Sequence, residues 1–122
     1  DWMKGNLDLG KRGEDAALEY LLAKGMEFVC RNARAGHKEI DLSAKQHDVL
    51  VFVEVKSRAS EMYGNAEEAV TDRKIRLLIS AAQAYILRYK IDLKFRFDII
   101  TVIGRCEPYR IEHIEDAFSP TW

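Results

Sequence analysis

Three charged residues stand in or beside the most apolar part of the chain, and their types could perform metal-dependent chemistry. Residues 49–53 are all apolar and lead directly into Glu54 and Lys56, while Asp41 stands upstream on a neighbouring predicted strand. Charges in such surroundings cost free energy unless they are paired or bind something. Carboxylate oxygens bind hard divalent cations. Because buried ion pairs stabilise poorly compared with apolar residues, a purely structural ion cluster is the less economical interpretation.

β-Strand geometry decides whether these residues meet. The stretch 38–58 predicts two strands joined by a tight turn centred on residues 46–47. That turn pairs Asp41 with Phe52, which places Asp41 diagonal to Glu54 on the same face, with backbones roughly 7–8 Å apart. A slip of one residue would move Asp41 to the opposite face.

A third carboxylate comes from a helix predicted over residues 9–24. Its apolar stripe contains Ala17, Leu18 and Leu21, and Glu14 falls on that stripe. Glu14 either faces the hairpin or is explained by the helix dipole near the first turn. The sequence leaves both interpretations open.

The remaining patterns predict the fold class. Strands are expected over residues 26–32, 95–103 and 109–114, and a long helix over residues 66–90. With the hairpin, the order α-β-β-β-α-β-β indicates one α/β domain over residues 1–122. We expect a mixed central sheet of about five strands flanked by helices.

Composition narrows the class of protein. The chain has 122 residues, 48% hydrophobic and 32% charged, which is typical of one globular domain. No apolar run reaches membrane-spanning length and no signal peptide is evident, so we expect no membrane partner. Cys30 and Cys106 match no metal-site spacing, and we expect reduced thiols in a cytoplasmic protein. The net charge of −1 does not by itself indicate a nucleic-acid partner.

The Asp…Glu-x-Lys pattern resembles the PD-(D/E)XK nuclease superfamily, and the chain as a whole resembles the YraN family of uncharacterised bacterial proteins. The resemblance is carried by seven segments, namely GEDAALEYLLAKG at 13–25, EIDL at 39–42, VFVEVKSR at 51–58, YGNA at 63–66, VTDRK at 70–74, FRFDII at 95–100 and EDAF at 115–118. The family usually has glycine where this chain has Lys38, a change that alters the start of the strand or adds a phosphate contact. Gln83 is followed four positions later by Leu87, so the Gln-x-x-x-Tyr pattern of some relatives of this fold is absent.

The resemblance implies a restriction-endonuclease-like three-layer core and a site for Mg²⁺ or Mn²⁺. Asp41, Glu54 and the Val55 carbonyl would hold the cation, and Glu14 would complete or extend the shell. Lys56 would orient the attacking water or stabilise charge on the scissile phosphate. The catalytic set is thus Asp41, Glu54, Lys56 and Glu14.

Three further basic residues, Arg34, Arg58 and Lys74, are candidates for phosphate contacts. Lys74 belongs to a segment, residues 72–96, that contains seven basic residues against two acidic ones. A solvated helix surface explains Lys74 equally well, and ordinary loop positions are the simpler interpretation of Arg34 and Arg58.

The leading functional hypothesis is a metal-dependent endonuclease acting on DNA, including branched or repair intermediates. Two alternatives stay open, a non-catalytic nucleic-acid-binding or assembly protein and an enzyme hydrolysing a small phosphodiester. A homodimer is expected by analogy with branched-DNA enzymes of this fold.

The other ionisable residues receive no catalytic role. Asp98 interrupts an apolar strand, and we expect it to pair with Arg96 or Arg110. Neither His47 nor His113 is assigned a role, since the histidines share no spacing.

Overall fold

The helices and strands follow the predicted order. The computed structural model describes residues 2–35, 38–60 and 71–119, with only the backbone for residues 2–8 and 35. Within these ranges the elements are α1 (Trp2–Ala23), β1 (Glu27–Ala35), β2 (Lys38–Gln46), β3 (Val49–Arg58), α2 (Asp72–Arg88), β4 (Lys94–Ile103) and β5 (Arg110–Phe118). Neither of these helices has the length and apolar character needed to cross a membrane.

Both helices start at different residues from those predicted. α1 begins at Trp2, well before the predicted start at residue 9. α2 begins at Asp72, because Thr71 is its N-cap and accepts a hydrogen bond from the Lys74 N–H at 3.3 Å. The predicted helical residues 66–70 lie outside the described part of the chain.

The sheet is mixed and is covered by one helix on each face. Its strand order is β1-β2-β3-β4-β5. Only β3 and β4 run parallel, and α2 lies between them in sequence, while the other neighbours are antiparallel. This arrangement confirms the predicted α/β class, and the open sheet is consistent with a restriction-endonuclease-like core.

Alternating side chains of β3 pack into two separate hydrophobic cores. Val51 and Val53 pack under α1 against Ala17 and Leu21. Leu50 and Phe52 pack on the other face with Ile79, Ala81 and Ala82 of α2. Glu54 and Lys56 continue the second of these faces, so the charged end of β3 lies on the α2 side of the sheet.

The register of the central hairpin differs from the predicted one by two residues. The chain turns at residues 47–48, one residue later than predicted, and Ser43 rather than Asp41 lies opposite Phe52. An even shift preserves the alternation of faces. The faces of the paired residues, 42–46 and 49–53, are therefore kept, although the predicted pairing of Asp41 with Phe52 was wrong.

A glycine allows α1 to lie close on β3. A Cβ atom added at Gly13 would overlap Ser57 Oγ and would lie 3.2 Å from Ser57 Cβ. We expect Gly13→Ala to lower the free energy of unfolding by about 1–3 kcal/mol, since a packed interface must move apart. Urea denaturation would measure the change.

Gly10 provides the matched control for this substitution. It lies in the same helix, and a Cβ there would have no described atom within 4 Å. Gly10→Ala should leave stability unchanged or raise it by up to about 1 kcal/mol, through helix propensity alone. Equal effects at the two glycines would show that the contact with Ser57 is unimportant.

Candidate functional site

Asp41 occupies the place where β2 and β3 separate. Regular pairing of these strands ends at Leu42 and Val53. Beyond that point the Val55 N–H donates to Asp41 Oδ2 at 2.9 Å, so it meets a carboxylate instead of a backbone carbonyl. Ile40 packs in the α2-side core whereas Leu42 packs in the α1-side core, which marks a change in the alternation of β2 at Asp41. The gap between the strands therefore holds an acidic side chain in a fixed orientation.

Glu54 is buried, and its two carboxylate oxygens have very different surroundings. The residue is only 6% exposed. Its Oε1 atom lies 3.2 Å from Lys56 Nζ and 3.9 Å from Lys38 Nζ. Its Oε2 atom is buried and has no hydrogen-bond partner among the described residues. An unpaired charged oxygen of this kind is costly, and it is the sort of group that a ligand would satisfy.

Burial and a neighbouring carboxylate disfavour the charged form of Asp41. Burial first, and then the negative charge of Glu54, raise the pKa of Asp41 from its ordinary value of 3.8 to about 7. The charge of Glu14 acts in the same direction, whereas the Val55 N–H and the Lys38 ammonium oppose the rise. Near neutral pH Asp41 is therefore only partly ionised, and a bound cation would favour its charged form.

Glu14 is close to this site but is held by an arginine. Its Oε1 atom lies 3.2 Å from Arg31 Nε of β1, and the same guanidinium lies 2.6 Å from Asp15 Oδ1. Because α1 starts at Trp2, Glu14 is not in the first turn, and the explanation through the helix dipole does not apply. Sequence reasoning missed Arg31, since nothing in the spacing of β1 indicates which acidic residue of a distant helix it contacts.

The predicted phosphate-binding residues lie on three different elements. Arg58 ends β3, and its Nη1 atom donates to the Ser57 carbonyl at 2.9 Å. Lys74 is exposed in the first turn of α2. Arg34 is exposed on β1, opposite Glu39. Contact of these residues with nucleic acid stays a prediction.

The donor set fits a divalent cation held by two carboxylates. Within residues 2–35, 38–60 and 71–119, no group of three His, Cys, Asp or Glu side chains is close enough together to hold a metal ion. Mg²⁺ commonly uses only one or two carboxylates and keeps several waters or substrate oxygens. The unpartnered Oε2 of Glu54, with Asp41 and the Val55 backbone beside it, matches that requirement.

A second buried polar cluster lies on the other half of the sheet. Asp98 is fully buried and accepts hydrogen bonds from Arg96 Nε at 3.0 Å and Nη2 at 3.2 Å, which confirms the first of its two predicted partners. It also contacts His113 Nε2 at 2.7 Å and accepts from the Asp116 N–H at 3.0 Å. His113 Nδ1 lies 3.1 Å from the Tyr20 hydroxyl of α1. The role of His113, unassigned from sequence, is to connect β5 and α1 to Asp98.

Comparison with known proteins identifies the family. A model described as "Uncharacterised protein family UPF0102" matches residues 13–102. A UPF0102 protein of Phocaeicola vulgatus is 46% identical over 113 residues, which are 93% of this chain and 93% of the relative. One from Bacteroides thetaiotaomicron is 47% identical over 113 residues with the same coverage. One from Prosthecochloris aestuarii is 42% identical over 118 residues, covering 91% of this chain and 93% of the relative. The chain therefore belongs to the uncharacterised protein family UPF0102, the YraN family that its motifs resemble.

Proposed function

We propose that this protein is a divalent-metal-dependent phosphodiesterase that cuts DNA. One observation carries the proposal, namely the buried Glu54, whose Oε2 atom has no partner among the described residues. Asp41 lies beside it in the gap between β2 and β3, and the Lys56 ammonium lies 3.2 Å from its other oxygen. Two carboxylates can hold a divalent cation and an ammonium can stabilise developing negative charge, which together suit metal-dependent phosphodiester hydrolysis.

Each residue has a distinct task in this proposal. A bound Mg²⁺ or Mn²⁺ would stabilise negative charge on the phosphoryl oxygens and make water more acidic. Asp41 and Glu54 would hold the cation, and the Val55 N–H keeps the Asp41 carboxylate oriented before the cation arrives. Lys56, whose side chain is only 13% exposed, would orient the attacking water or stabilise charge on the scissile phosphate.

The proposed substrate is DNA, including branched or repair intermediates. Arg34, Arg58 and Lys74 would contact backbone phosphates, which contribute affinity without sequence information. Because the net charge is only −1, binding would depend on these local basic positions. A homodimer is also proposed, by analogy with branched-DNA enzymes of this fold. Sedimentation velocity would test it.

Metal binding and cleavage should fail together when the carboxylates are removed. We expect Asp41→Asn and Glu54→Gln to weaken Mn²⁺ binding on the order of 100-fold or more, and to abolish cleavage of linear, single-stranded and four-way-junction DNA. Lys56→Met should retain metal binding and lose at least about 100-fold in cleavage rate. Calorimetric titration and gel assays would measure the two effects.

Glu112→Gln is a suitable control, because Glu112 lies on β5 in an exposed ion pair with Arg110. It should behave like the native protein in both assays. Native protein that takes up no Mn²⁺ would contradict the proposal. Cleavage that persists in Lys56→Met would contradict the role given to Lys56.

A second candidate is a nucleic-acid-binding or assembly protein that retains the fold without turnover. The observation in its favour is Glu14, the third carboxylate implied by the resemblance, which is bound to Arg31. DNA that is bound but never cut under Mg²⁺ or Mn²⁺ would support this candidate. The dependence of that binding on salt would then estimate how many phosphates are contacted.

A further inference from the structure

Two ammonium groups approach the same oxygen of Glu54. Lys56 Nζ lies 3.2 Å from Oε1, and Lys38 Nζ lies 3.9 Å from it. Lys38 is the first residue of β2, on the strand that also carries Asp41. Its side chain is 27% exposed against 13% for Lys56. Lys38 is therefore the more loosely held and the more hydrated of the two cations.

A structural role explains Lys38 poorly. Partly exposed ion pairs in which nitrogen and oxygen are almost 4 Å apart contribute little to stability. Lys56 already supplies the closer counter-charge to Glu54, and it does so from the same strand. The second ammonium therefore adds a positive charge that Glu54 does not require for pairing.

The charge balance shows what this extra ammonium would do. Ionised Asp41 and Glu54 match the two positive charges of Lys38 and Lys56. A divalent cation at the carboxylates would leave the site with excess positive charge, which attracts an anion. Lys38 would repel that cation and at the same time attract the anion, so its two effects on binding have opposite signs.

We propose that Lys38 is a phosphate-binding residue of this site, and that its ammonium moves from Glu54 to a non-bridging oxygen of a nucleic-acid phosphate when a divalent cation is bound. The inference rests on the proposed function, because it adds a substrate contact to the same site. A lysine suits this task as a compact, mobile charge on a long side chain. The ligand class is the phosphodiester of a nucleic acid.

The experiment compares Lys38→Met, which removes the charge, with Lys38→Arg, which keeps it. Lys45→Met is the matched control, because Lys45 lies on the same strand near the turn, opposite Leu50. Mn²⁺ affinity is measured by calorimetry without DNA. Affinity for a short duplex oligonucleotide is measured by fluorescence anisotropy in Ca²⁺, and urea denaturation reports stability.

Lys38→Met should bind Mn²⁺ about three- to tenfold more tightly and the duplex about three- to tenfold more weakly, the size expected of one charge in a partly hydrated site. The salt dependence of duplex binding should fall by the equivalent of about one phosphate contact. Lys38→Arg and Lys45→Met should stay near native values. All three variants should unfold at the same urea concentration as the native protein.

Two results would overturn the inference. One is a Lys38→Met variant that binds both ligands like Lys45→Met. The other is a variant that loses Mn²⁺ affinity, duplex affinity and stability together, which would make Lys38 a structural residue. The native protein could cut none of the DNA substrates while Lys38→Met still binds Mn²⁺ more tightly and the duplex more weakly. The proposed function then fails and the inference stands. If DNA is cut and Lys38→Met is silent, the inference fails and the proposed function stands.

Discussion

Replacing Asp41 with asparagine should make the metal-free protein more stable at pH 8. Burial, followed by the charge of Glu54, raises the pKa of the Asp41 carboxyl from 3.8 to about 7. Ionisation of this group therefore lowers the free energy of unfolding. The difference corresponds to roughly 4 kcal/mol. Partial exposure to solvent reduces this figure, and we expect a gain of about 2–3 kcal/mol. Asparagine keeps a side-chain oxygen that accepts from the Val55 N–H.

The pH dependence has a definite sign. Below pH 3.8 the carboxyl is protonated in both the folded and the unfolded protein and costs nothing. Between 3.8 and about 7 the unfolded chain releases the proton while the folded protein retains it, so this group lowers the stability of the native protein as pH rises. The advantage of Asp41→Asn should therefore grow over this window and stay constant above it.

Urea denaturation in EDTA from pH 4 to pH 8 would measure this effect. Addition of Mn²⁺ should stabilise the native protein and leave Asp41→Asn nearly unchanged, because a bound cation favours the ionised carboxylates. Native affinity for Mn²⁺ should decrease as pH falls below about 7. A variant that is less stable than the native protein at every pH would mean that Asp41 serves the fold as part of a structural ion cluster.

Replacing Asp98 with alanine should destabilise the protein, by more than Asp41→Asn stabilises it. Asp98→Ala removes the acceptor for Arg96, His113 and the Asp116 N–H. It leaves the guanidinium of Arg96 with 19% exposure and His113 with 4% exposure, both without their carboxylate. Breaking a buried charged network in this way costs about 3–5 kcal/mol, so the variant should unfold at much lower urea concentrations.

The loss caused by Asp98→Ala should shrink in acid. Burial alone would raise the pKa of Asp98, but hydrogen bonds from His113, Arg96 and the Asp116 N–H outweigh it and hold that pKa below its usual value. A carboxylate with a lowered pKa stabilises the protein above its unfolded-state pKa and loses this effect as pH falls through the folded value. Denaturation at pH 7 and pH 3 would measure the difference. Glu112→Ala, which breaks an exposed ion pair with Arg110, should cost less than about 1 kcal/mol at either pH.

The alternation along β3 is the part of the candidate site that could be predicted from sequence. The apolar run of β3 and the two charges that follow it predict which face Glu54 and Lys56 share. The predicted turn lies one residue too early, because nothing in the sequence marks His47, which adopts a left-handed φ of 54°, as the first turn residue. An even error in pairing kept the faces of the paired residues, whereas the change in the alternation of β2 at Asp41 was not predicted.

Long-range partners could not be predicted in the same way. Arg31 and Glu14 lie on different elements, as do His113 and Asp98, and each pair is chosen by the packing of α1 and the edge strands. Charge and spacing within a segment carry no information about such contacts. The separation of β2 from β3 on the N-terminal side of Leu42 is likewise a property of the folded sheet.

The outer strand β1 has a consequence for how two copies of the chain could associate. Its ladder with β2 is irregular between Phe28 and Cys30, and Asn32 has a φ of 58°. Arg31 extends from this strand to the acidic residues of α1. Irregular backbone and a charge directed over the sheet are features that keep an edge from adding a foreign strand. A continuous sheet shared by two molecules through β1 is therefore disfavoured, and a homodimer would have to use another surface.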